Sequence, residues 1–407
     1  MRNLKMRDKN KSIQVYALVP AFFGLSGDAV NERQFILTFA KISNIKVTVI
    51  TFISVLDIIL PTRAKFIRKE ISRAKERNIT VIPLPSLSFV ILSVFYYPFV
   101  SLILSFYLLL KIKIMKIRPI IYARNSRLGL GLVEFPEVAQ RCIIKIPEIF
   151  EDEVHTSLII KKLIAIYDRR VVSRAWIVAF PSPLLYVSFI KKRYLKLPRK
   201  VIFMSAGVDY EQITRIEKNA KPSEEELKIC FLGSLAWWQG VDILVRAVAI
   251  LKNKFPELRN RIKLEIIGDG PQRALIERLC EVLGVNCELT GYLPHEDALK
   301  RLSCCGVLVL PRRRSSTTEA VIPLKVIEAW ALGVPVVATR HEVFEFYGLK
   351  DMEDLMYCEP TPESVATALA KVMVSRDLHK KLSERGPQIA KLFDYQFISK
   401  NLTKIFT

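Results

Sequence analysis

The chain has 407 residues, of which 51% are hydrophobic, so it is too long for one ordinary domain and too apolar for wholesale disorder. Its formal net charge of +22 is uneven: residues 1–210 contain 34 Lys and Arg against 14 Asp and Glu, and residues 211–407 contain 28 against 26. This composition predicts two or three domains and an anionic partner for the first half, such as an acidic membrane, a lipid-linked phosphate or nucleic acid.

The first half alternates strand and helix patterns after a basic tail. Residues 1–12 mimic the start of a signal peptide, but Gln14 and Pro20 interrupt the apolar run and no small-residue cleavage site follows. The predicted strands lie at 13–19, 46–52, 79–84 and 120–125, and the predicted helices at 31–43 and 62–77. Such alternation is typical of a parallel sheet with crossover helices.

Several residues in this half are candidates for a binding cleft. Gly24 and Gly27 suit a turn around a phosphate, with an ordinary strand-to-helix turn as an equal alternative. Arg124 and Asn125 end a strand, and the carboxyl ends of parallel strands face the ligand. Glu148 is a further candidate for a polar contact. His155, our last candidate, is more simply a surface residue.

One apolar segment, at about 86–118, interrupts the alternation. Residues 78–110 contain no charged side chain, and 87–110 are long enough to span a bilayer. Basic residues follow at once, as they do beside membrane segments: Lys111, Lys113, Lys116 and Arg118. A span would separate the two flanking strands, and Pro98 divides the run. We therefore predict a helical hairpin that dips into the membrane, with one buried apolar helix as the alternative.

The second half repeats the alternation. Its strands are predicted at 228–233, 263–268, 286–292, 306–311 and 334–339, and its last helices at 361–375 and 376–407. The predicted organisation is an N-terminal domain at 1–205, a linker at 206–226, a C-terminal domain at 227–390 and a C-terminal helix at 391–407 that crosses back to the first domain. Both domains are predicted to be Rossmann-like α/β domains with doubly wound parallel sheets.

The cysteines and histidines show no metal-binding spacing. There are seven cysteines without a C-x-x-C pair and four histidines without a pair at helical spacing. We therefore predict buried free thiols in a reducing compartment, with no disulfide framework and no metal site.

Residues 261–340 hold the strongest functional pattern. An apolar strand runs directly into Gly268-Asp269-Gly270-Pro271, and a helix pattern follows at once. Glycines allow a backbone to approach a ligand closely, and the N-terminus of a helix favours an anion. A strand, a polar loop and a helix recur at 311–328. Two such junctions predict a nucleotide site along one edge of a parallel sheet.

Four tracts in this order resemble the retaining, GT-B-type glycosyltransferases of family 4, whose C-terminal part is the glycosyl transferases group 1 domain. They are CFLGSLAWWQGVDIL (230–244), LEIIGDGP (264–271), ELTGYLPHEDALKRLSCCGVLVLP (288–311) and PLKVIEAWALGVPVVAT (323–339). A weaker tract, VIFMSAGVDYEQI (201–213), resembles the segment that joins the two domains of the family. The resemblance covers about residues 200–340 well and the first 200 residues only loosely. It implies a GT-B fold, in which the two domains face a cleft.

The family places two cations on the donor diphosphate, one in a Gly-Arg-Leu segment and one in a Lys-Gly pair. This chain has Ser234 and Gln239 at these two positions, so both cations are absent. Lys325 is our first candidate for a replacement cation. The loop Arg312–Arg314 is the second, with a solvated basic loop as the alternative.

The family also has two glutamates spaced eight residues apart, which hold the sugar and the nucleotide ribose. Glu328 matches the ribose position, because a carboxylate accepts hydrogen bonds from two hydroxyl groups. The other position is Ala320; Glu319 lies one residue away and is more simply a structural glutamate. The implied donor-binding residues are Gly24, Gly27, Gly233, Ser234, Gln239, Gly268, Gly270, Glu319, Ala320 and Glu328, and the implied catalytic residues are Lys325, Arg312 and Arg124.

The resemblance implies an enzyme that moves a sugar from a nucleotide sugar to a lipid-linked or glycan acceptor with retention of configuration, without a cofactor or metal ion. It implies glycan biosynthesis at the cytoplasmic face of the cell membrane, with an anionic membrane surface as a partner. The alternative is a catalytically inactive GT-B module that acts as a membrane-bound scaffold, because both diphosphate cations are missing. Nucleic acid is not an expected partner, because the chain lacks a recognisable reading motif.

Overall fold

A computed structural model divides the chain into two compact units. The first unit comprises residues 1–24 and 35–204, and the second comprises residues 25–34 and 205–407. The structure describes residues 13–24, 26–42, 45–86, 90–150, 157–193, 197–216, 227–256 and 261–406. His155 and residues 217–226 of the predicted linker lie outside these ranges.

The first unit is built on a seven-stranded parallel sheet with the order β3-β2-β1-β4-β5-β6-β7. Its strands are β1 (Ile13–Val19), β2 (Ile45–Ile53), β3 (Ile79–Pro85), β4 (Ile120–Arg124), β5 (Cys142–Lys145), β6 (Ile177–Phe180) and β7 (Val201–Phe203). The winding reverses between β1 and β4, so their carboxyl ends border a switch point, where sheets of this kind bind ligands.

The inner strands β4, β5 and β6 of this sheet are buried, whereas β3 and β7 at its edges are partly exposed. All residues of β4, β5 and β6 are buried, which explains why these strands read as continuous apolar runs rather than alternating patterns. The helices of this part of the chain are α1 (Gly27–Phe39), α2 (Val55–Ile59), α3 (Pro61–Glu76), α4 (Val90–Ile114), α5 (Ser126–Leu132), α6 (Pro136–Ala139), α7 (Leu158–Arg174) and α8 (Pro183–Arg193).

Two predicted helices of this half can be compared with the structure. Helix α3 begins at Pro61, a residue well suited to the first helical position. Helix α1 begins at Gly27, four residues before the predicted start. Ser26 explains the difference, because its side-chain oxygen accepts a hydrogen bond from the Ala29 N–H at 3.3 Å and so caps the helix.

The predicted helical hairpin is wrong. Helix α4 is one continuous helix of 25 residues that contains Pro98. The helix continues past the proline, whose carbonyl accepts a hydrogen bond from the Ser101 hydroxyl at 2.9 Å, and the Tyr96 hydroxyl donates to the Pro85 carbonyl at 2.6 Å. By length and composition, Leu92–Ile114 is apolar enough to cross a membrane, with a mean hydropathy of 1.8.

The second unit is built on a six-stranded parallel sheet with the order β10-β9-β8-β11-β12-β13. Its strands are β8 (Leu227–Leu232), β9 (Ile262–Ile267), β10 (Cys287–Gly291), β11 (Val307–Leu310), β12 (Val336–Thr339) and β13 (Met356–Cys358). The switch point lies between β8 and β11. The loops that follow these two strands therefore border the edge at which a ligand is expected.

Helices flank this second sheet. They are α9 (Tyr210–Thr214), α10 (Val241–Lys254), α11 (Arg273–Leu283), α12 (His295–Ser303), α13 (Ser316–Ala320), α14 (Leu324–Ala331), α15 (Glu342–Phe346), α16 (Pro362–Val374), α17 (Arg376–Ala390) and α18 (Tyr395–Phe406). Apolar residues of α10 and α16 pack with β8, β9 and β11 into one core. The prediction that the last helix crosses back to the first domain stays a prediction.

The prediction of free thiols is wrong for two of the seven cysteines. Cys230 and Cys305 form a disulfide with a Cα–Cα distance of 6.0 Å, and the other cysteines are free thiols. The two residues meet because β8 and β11 are neighbours: Cys230 lies in β8, and Cys305 lies two residues before β11. The two cysteines are 75 positions apart in the sequence, and their spacing does not reveal that the strands beside them are paired.

Candidate functional site

The candidate site lies at the switch point of the second unit. Gly233 and Ser234 follow β8, Arg312 lies in the loop after β11, and Lys325 is the second residue of helix α14. These residues lie far apart in the sequence. Their common position follows from the parallel sheet, which places the carboxyl ends of neighbouring strands at one edge.

The Lys325 ammonium lies against the two segments that lack the family's cations. Its Nζ is 3.2 Å from Gln239 Oε1 and 4.6 Å from the ring centre of Phe231. A Cβ atom on Gly233 would overlap this Nζ, so the glycine is needed to make room for the ammonium. The structure thus places the Lys325 ammonium beside Gly233 and Gln239, and its role as the replacement cation stays a prediction.

The electrostatic environment of Lys325 opposes its charge. Burial of the ammonium lowers the pKa of Lys325 well below its ordinary value, and the neighbouring Arg312 guanidinium lowers it further. The Glu328 carboxylate acts in the opposite direction. An anion at this edge would favour the charged form of Lys325, because an opposite charge nearby favours ionisation.

The three loop arginines have different surroundings. Arg312 is buried, with its guanidinium 4.8 Å from the ring centre of Trp238. Arg313 makes a two-point ion pair with Asp242, at 2.9 and 2.7 Å. Arg314 contacts Glu319 at 2.9 Å and Glu359 at 3.0 Å. The solvated basic loop is thus an incomplete description: Arg313 and Arg314 hold the loop in place, and Arg312 lies near Lys325.

Glu328 is buried on α14 and contacts a histidine that the sequence analysis did not select. The Nε2–H of His295 donates to Glu328 Oε1 at 2.5 Å. His295 opens helix α12, just after β10. Its place inside a tract that resembles the family, beyond the end of a strand, was the signal that could have identified it.

The region around the other glutamate position has a structural explanation. Ala320 is buried, and Glu319 points to His341 Nδ1 at 3.0 Å and to the Glu342 N–H at 2.8 Å. Burial alone would raise the pKa of Glu319, but these hydrogen bonds, with Arg314, lower the pKa to about 2. Glu319 therefore acts as a fixed anion that joins α13 to the start of α15.

The glycines at this edge allow one protein segment to approach another. Gly233 and Gly268 have φ values of 134° and 140°, and a Cβ atom on Gly268 would overlap the Gly233 carbonyl. A Cβ atom on Gly270 would lie 2.6 Å from the Leu235 nitrogen. The turn after β9 thus packs on the loop after β8. The roles of Gly233, Gly268 and Gly270 in donor binding stay predictions.

The candidates of the first unit lie at its own switch point. Arg124 is buried, and its Nη2 lies 3.9 Å from Glu148 Oε2. Asn125 has a φ of 74°, unusual for a residue other than glycine, and its Oδ1 accepts a hydrogen bond from the Leu128 N–H. Asn125, Arg127 and Glu148 line a small cavity of about 20 Å³.

The two glycines predicted to contact a phosphate make ordinary turns. The Gly24 N–H donates to the Ala21 carbonyl at 2.9 Å. Gly27 is the first residue of α1, and a Cβ atom there would meet no atom within 4 Å. Their proposed contact with the donor stays a prediction, as do the roles of Arg124, Asn125 and Glu148.

Comparison with known proteins connects this architecture to an enzyme class. Residues 212–389 match the model of the family described as Glycosyl transferases group 1. The chain is 24% identical over 237 residues to a D-inositol 3-phosphate glycosyltransferase of Corynebacterium urealyticum, covering 54% of each protein. It is 26% identical over 155 residues to the lipopolysaccharide core biosynthesis glycosyltransferase LpsE of Rhizobium meliloti, covering 38% of this chain and 42% of that protein.

The chain spans about half the length of the curated relatives it matches. The matched domain and the glycosyltransferase names of these relatives support a transferase, as the sequence predicted. The activity of the whole protein is a proposal.

Solved structures extend the similarity to both units. Alr3699/HepE of Anabaena, solved with UDP and glucose, has a TM-score of 0.67 at 14% identity and covers 97% of this chain and 99% of its own. WaaG, a glycosyltransferase involved in lipopolysaccharide biosynthesis, has a TM-score of 0.66 at 16% identity with the same coverage. At these identities the likeness shows the fold, and the predicted GT-B fold with two parallel-sheet α/β domains is confirmed.

Proposed function

We propose that this chain is a retaining glycosyltransferase of family 4 that transfers a sugar from a nucleotide sugar to a lipid-linked or glycan acceptor. The observation that carries the proposal is the position of Lys325. Its ammonium contacts Gln239 and lies against Gly233, which are the segments where the family has its diphosphate cations. Arg312 contributes a second positive charge to the same edge.

The chemistry requires positive charge at this place. As the bond between the anomeric carbon and the diphosphate oxygen breaks, its electron pair passes to that oxygen; the acceptor hydroxyl forms the new bond to the anomeric carbon and passes its proton to the leaving diphosphate. Lys325 and Arg312 would stabilise the charge that develops on the leaving diphosphate, so that no metal ion is required. Glu328, oriented by His295, would accept hydrogen bonds from the ribose hydroxyls.

The names of similar proteins support the choice of substrates. Alr3699/HepE has been solved with UDP-glucose, and LpsE is named for the biosynthesis of a lipopolysaccharide core. On this basis we assign a nucleotide sugar as the donor and place the protein in glycan biosynthesis at the cytoplasmic face of the cell membrane. Arg124, Asn125 and Glu148 in the first unit would contact the acceptor.

A thermal-shift screen tests the donor assignment. UDP, GDP and ADP and their sugar esters are added to the full chain, and a ligand bound only by the folded state raises the melting temperature. We expect one nucleoside diphosphate to raise it in the wild type and to have a smaller effect on Lys325→Ala. If no nucleotide stabilises the wild type at millimolar concentration, the donor assignment is wrong.

A second readout follows from the environment of Lys325. Burial lowers the pKa of Lys325 and a bound diphosphate would raise it, so binding should be linked to proton uptake in the pH range in which free Lys325 loses its proton. Calorimetry in buffers of different ionisation enthalpy measures this uptake, and affinity should fall as pH rises. Lys325→Ala should abolish the proton uptake. An uptake equal to that of the wild type would assign the proton to another group.

The inactive scaffold remains the second candidate, favoured by Ser234 and Gln239 at the positions of both family cations. The two candidates differ in turnover. A glycosyltransferase releases nucleoside diphosphate from its donor when acceptor is added, whereas an inactive module binds the nucleotide without releasing product. Nucleotide binding without release across a panel of lipid-linked and glycan acceptors would favour the scaffold.

A further inference from the structure

The outward face of helix α4 is apolar along its whole described length. Nine large hydrophobic side chains of this helix are exposed: Leu92, Phe95, Phe99, Leu102, Ile103, Phe106, Tyr107, Leu110 and Ile114. They recur at steps of three and four residues, so they share one side of the helix. Phe99 is 62% exposed and Phe106 is 55% exposed.

The inward face of α4 combines buried apolar side chains, among them Val94 and Leu108, with small polar residues. Ser93, Ser101 and Ser105 are buried, and the Ser101 hydroxyl accepts a hydrogen bond from the Gly131 N–H of α5 at 3.1 Å. A Cβ atom on Gly131 would overlap the backbone of Leu102, so the glycine lets the two helices come into close contact. Small and hydroxylated residues at a helix–helix contact are typical of helices in lipid, where large apolar side chains face outward.

The outward face of α4 is not that expected for a helix in water. A surface helix of a soluble domain normally turns its large apolar residues to the core and its polar residues to solvent. Contiguous exposed apolar patches of more than a few hundred Å² mark sites of contact with proteins or membranes. Exposure of this apolar face of α4 to water is unfavourable, so the face is a candidate site of contact with an apolar partner.

Charge at one end of the helix identifies the covering partner. Residues 78–110 contain no charged side chain, and exposed basic residues follow: Lys113, Lys116 and Arg118. Basic residues next to an apolar helix face are attracted to anionic lipid headgroups. Residues 1–210 carry a net charge of +20, which also attracts anionic lipid headgroups. This combination fits a lipid surface better than an apolar protein partner.

We infer that the outward face of α4 is embedded in the interface of an anionic bilayer, with the helix lying in the membrane plane. Strands β3 and β4, which precede and follow α4, belong to one sheet, so the helix cannot separate them across a bilayer. The basic end anchors the helix at the headgroups, and the phenylalanine side chains enter the boundary of the acyl chains. The inference is independent of the proposed transferase activity.

Vesicle flotation with the full chain tests this inference. The triple variant Phe95→Ser, Phe99→Ser, Phe106→Ser should bind vesicles on the order of a hundredfold more weakly than the wild type, because three large apolar side chains no longer enter the lipid. The matched control is the triple variant Val282→Ser, Val374→Ser, Leu392→Ser, which changes three exposed apolar residues of the second unit and should float like the wild type.

Two further experiments test whether anionic headgroups contribute to vesicle binding and whether the helix enters the lipid. Vesicles of phosphatidylcholine with phosphatidylglycerol should bind the wild type more tightly than phosphatidylcholine alone, and Lys113→Gln, Lys116→Gln, Arg118→Gln should remove that preference. Phe99→Trp should gain fluorescence that brominated lipids quench, whereas Val282→Trp should not. Unchanged melting temperatures of the serine variants establish that they fold.

Several outcomes would overturn the inference. The wild type would fail to float, the phenylalanine variant would float as well as the wild type, or Phe99→Trp would escape quenching. A wild-type dimer that the phenylalanine variant dissociates, together with no vesicle binding, would assign the face to a second copy of this chain. Loss of nucleotide binding with intact flotation would instead count against the proposed function alone.

Discussion

The two units share one sheet architecture but differ in how their residues are used. In the second unit, Lys325 and Arg312 bring positive charge to the carboxyl edge of β8 and β11 in a part of the chain that is nearly neutral overall. In the first unit, positive charge is abundant, and its most distinctive surface is the apolar face of α4. The two units thus have a similar sheet topology. The second unit carries two positive charges at one sheet edge, whereas the first carries an extended apolar surface on a helix.

This difference teaches that net charge and chemical function need not lie together. The composition of the basic half predicts an anionic partner for that half, yet the candidate diphosphate site lies in the half with little net charge. A buried cation near a leaving group acts strongly because little solvent screens it. Surface cations act together and are sensitive to salt. Variants of one unit should therefore leave the property of the other unchanged.

The largest expected effect concerns stability and comes from the disulfide of the second unit, since the cysteine of the first unit that serves as the control is a free thiol. The Cys230–Cys305 bridge closes a loop across 75 positions in the second unit, so the double variant Cys230→Ser, Cys305→Ser should lower the free energy of unfolding by about 4 kcal/mol. Urea unfolding with and without reductant measures this loss. Reduction should destabilise the wild type and leave the double variant unchanged, and Cys142→Ser in the first unit should retain the response to reductant. A wild type indifferent to reductant would contradict the bridge.

The second prediction concerns the candidate cation. Lys325→Ala should lower kcat on the order of a hundredfold, because the charge that it stabilises grows in the transition state. Gln239→Lys in the same background should recover part of the loss, since the end of the Gln239 side chain, Oε1, lies 3.2 Å from the Lys325 Nζ. Initial rates of nucleoside diphosphate release measure both effects.

A surface lysine provides the control for this experiment. Lys350 is exposed, pairs only weakly with Glu353 at 3.6 Å, and its change to alanine should leave kcat unchanged. Vesicle flotation of Lys325→Ala should equal that of the wild type. Normal turnover in both Lys325→Ala and the triple change of Arg312–Arg314 to alanine would show that charge replacement is wrong.

The third prediction concerns the ribose contact. Glu328→Ala should weaken nucleotide binding by about 1–3 kcal/mol, the usual cost of lost charged hydrogen bonds, as measured by calorimetry. His295→Ala should have a smaller effect in the same direction, because it removes the group that orients the carboxylate. A folded Glu328→Ala variant with unchanged affinity would refute the assignment.

The smallest predicted effect distinguishes Glu319 from Glu328. The pKa of Glu319 in the folded state is about 2, below its ordinary value of 4.5. Ionised Glu319 therefore stabilises the fold above pH 4.5. This contribution is lost as the pH falls towards 2. Glu319→Gln should slightly lower stability at pH 7 and flatten the acid loss between pH 4.5 and 2. Its nucleotide affinity should match the wild type; reduced affinity with normal stability would instead indicate a role in sugar binding.

Much of the fold could be predicted from the sequence, because strands in a parallel sheet that helices cover on both faces are continuous apolar runs. Strand β1 was predicted at its observed limits, and the predicted strands that correspond to β8 and β11 differ from them by a residue or two. Helix α1 was placed four residues late because the capping by Ser26 was not recognised. The GT-B fold followed from the order of tracts that resemble the family.

The candidate site was only partly predictable. Lys325, Arg312 and Glu328 were selected from their positions relative to family motifs, whereas His295 was missed because nothing in the spacing links it to Glu328. The two residues are 33 positions apart, and they meet only because α12 and α14 pack together. Likewise, the pairing of Arg313 with Asp242 and of Arg314 with Glu359 became visible only in three dimensions.

The sequence by itself determined the alternation of elements, the location of excess charge and the apolar character of 87–110, because these depend on residues close together in the chain. Tertiary structure alone decided which cysteines meet, which arginine lies near Lys325 and which face of α4 is exposed. These depend on strand neighbours and helix contacts between distant residues. The sequence does not tell the buried face of α4 from its exposed face, and only the contact of Ser101 with Gly131 shows which side packs on α5.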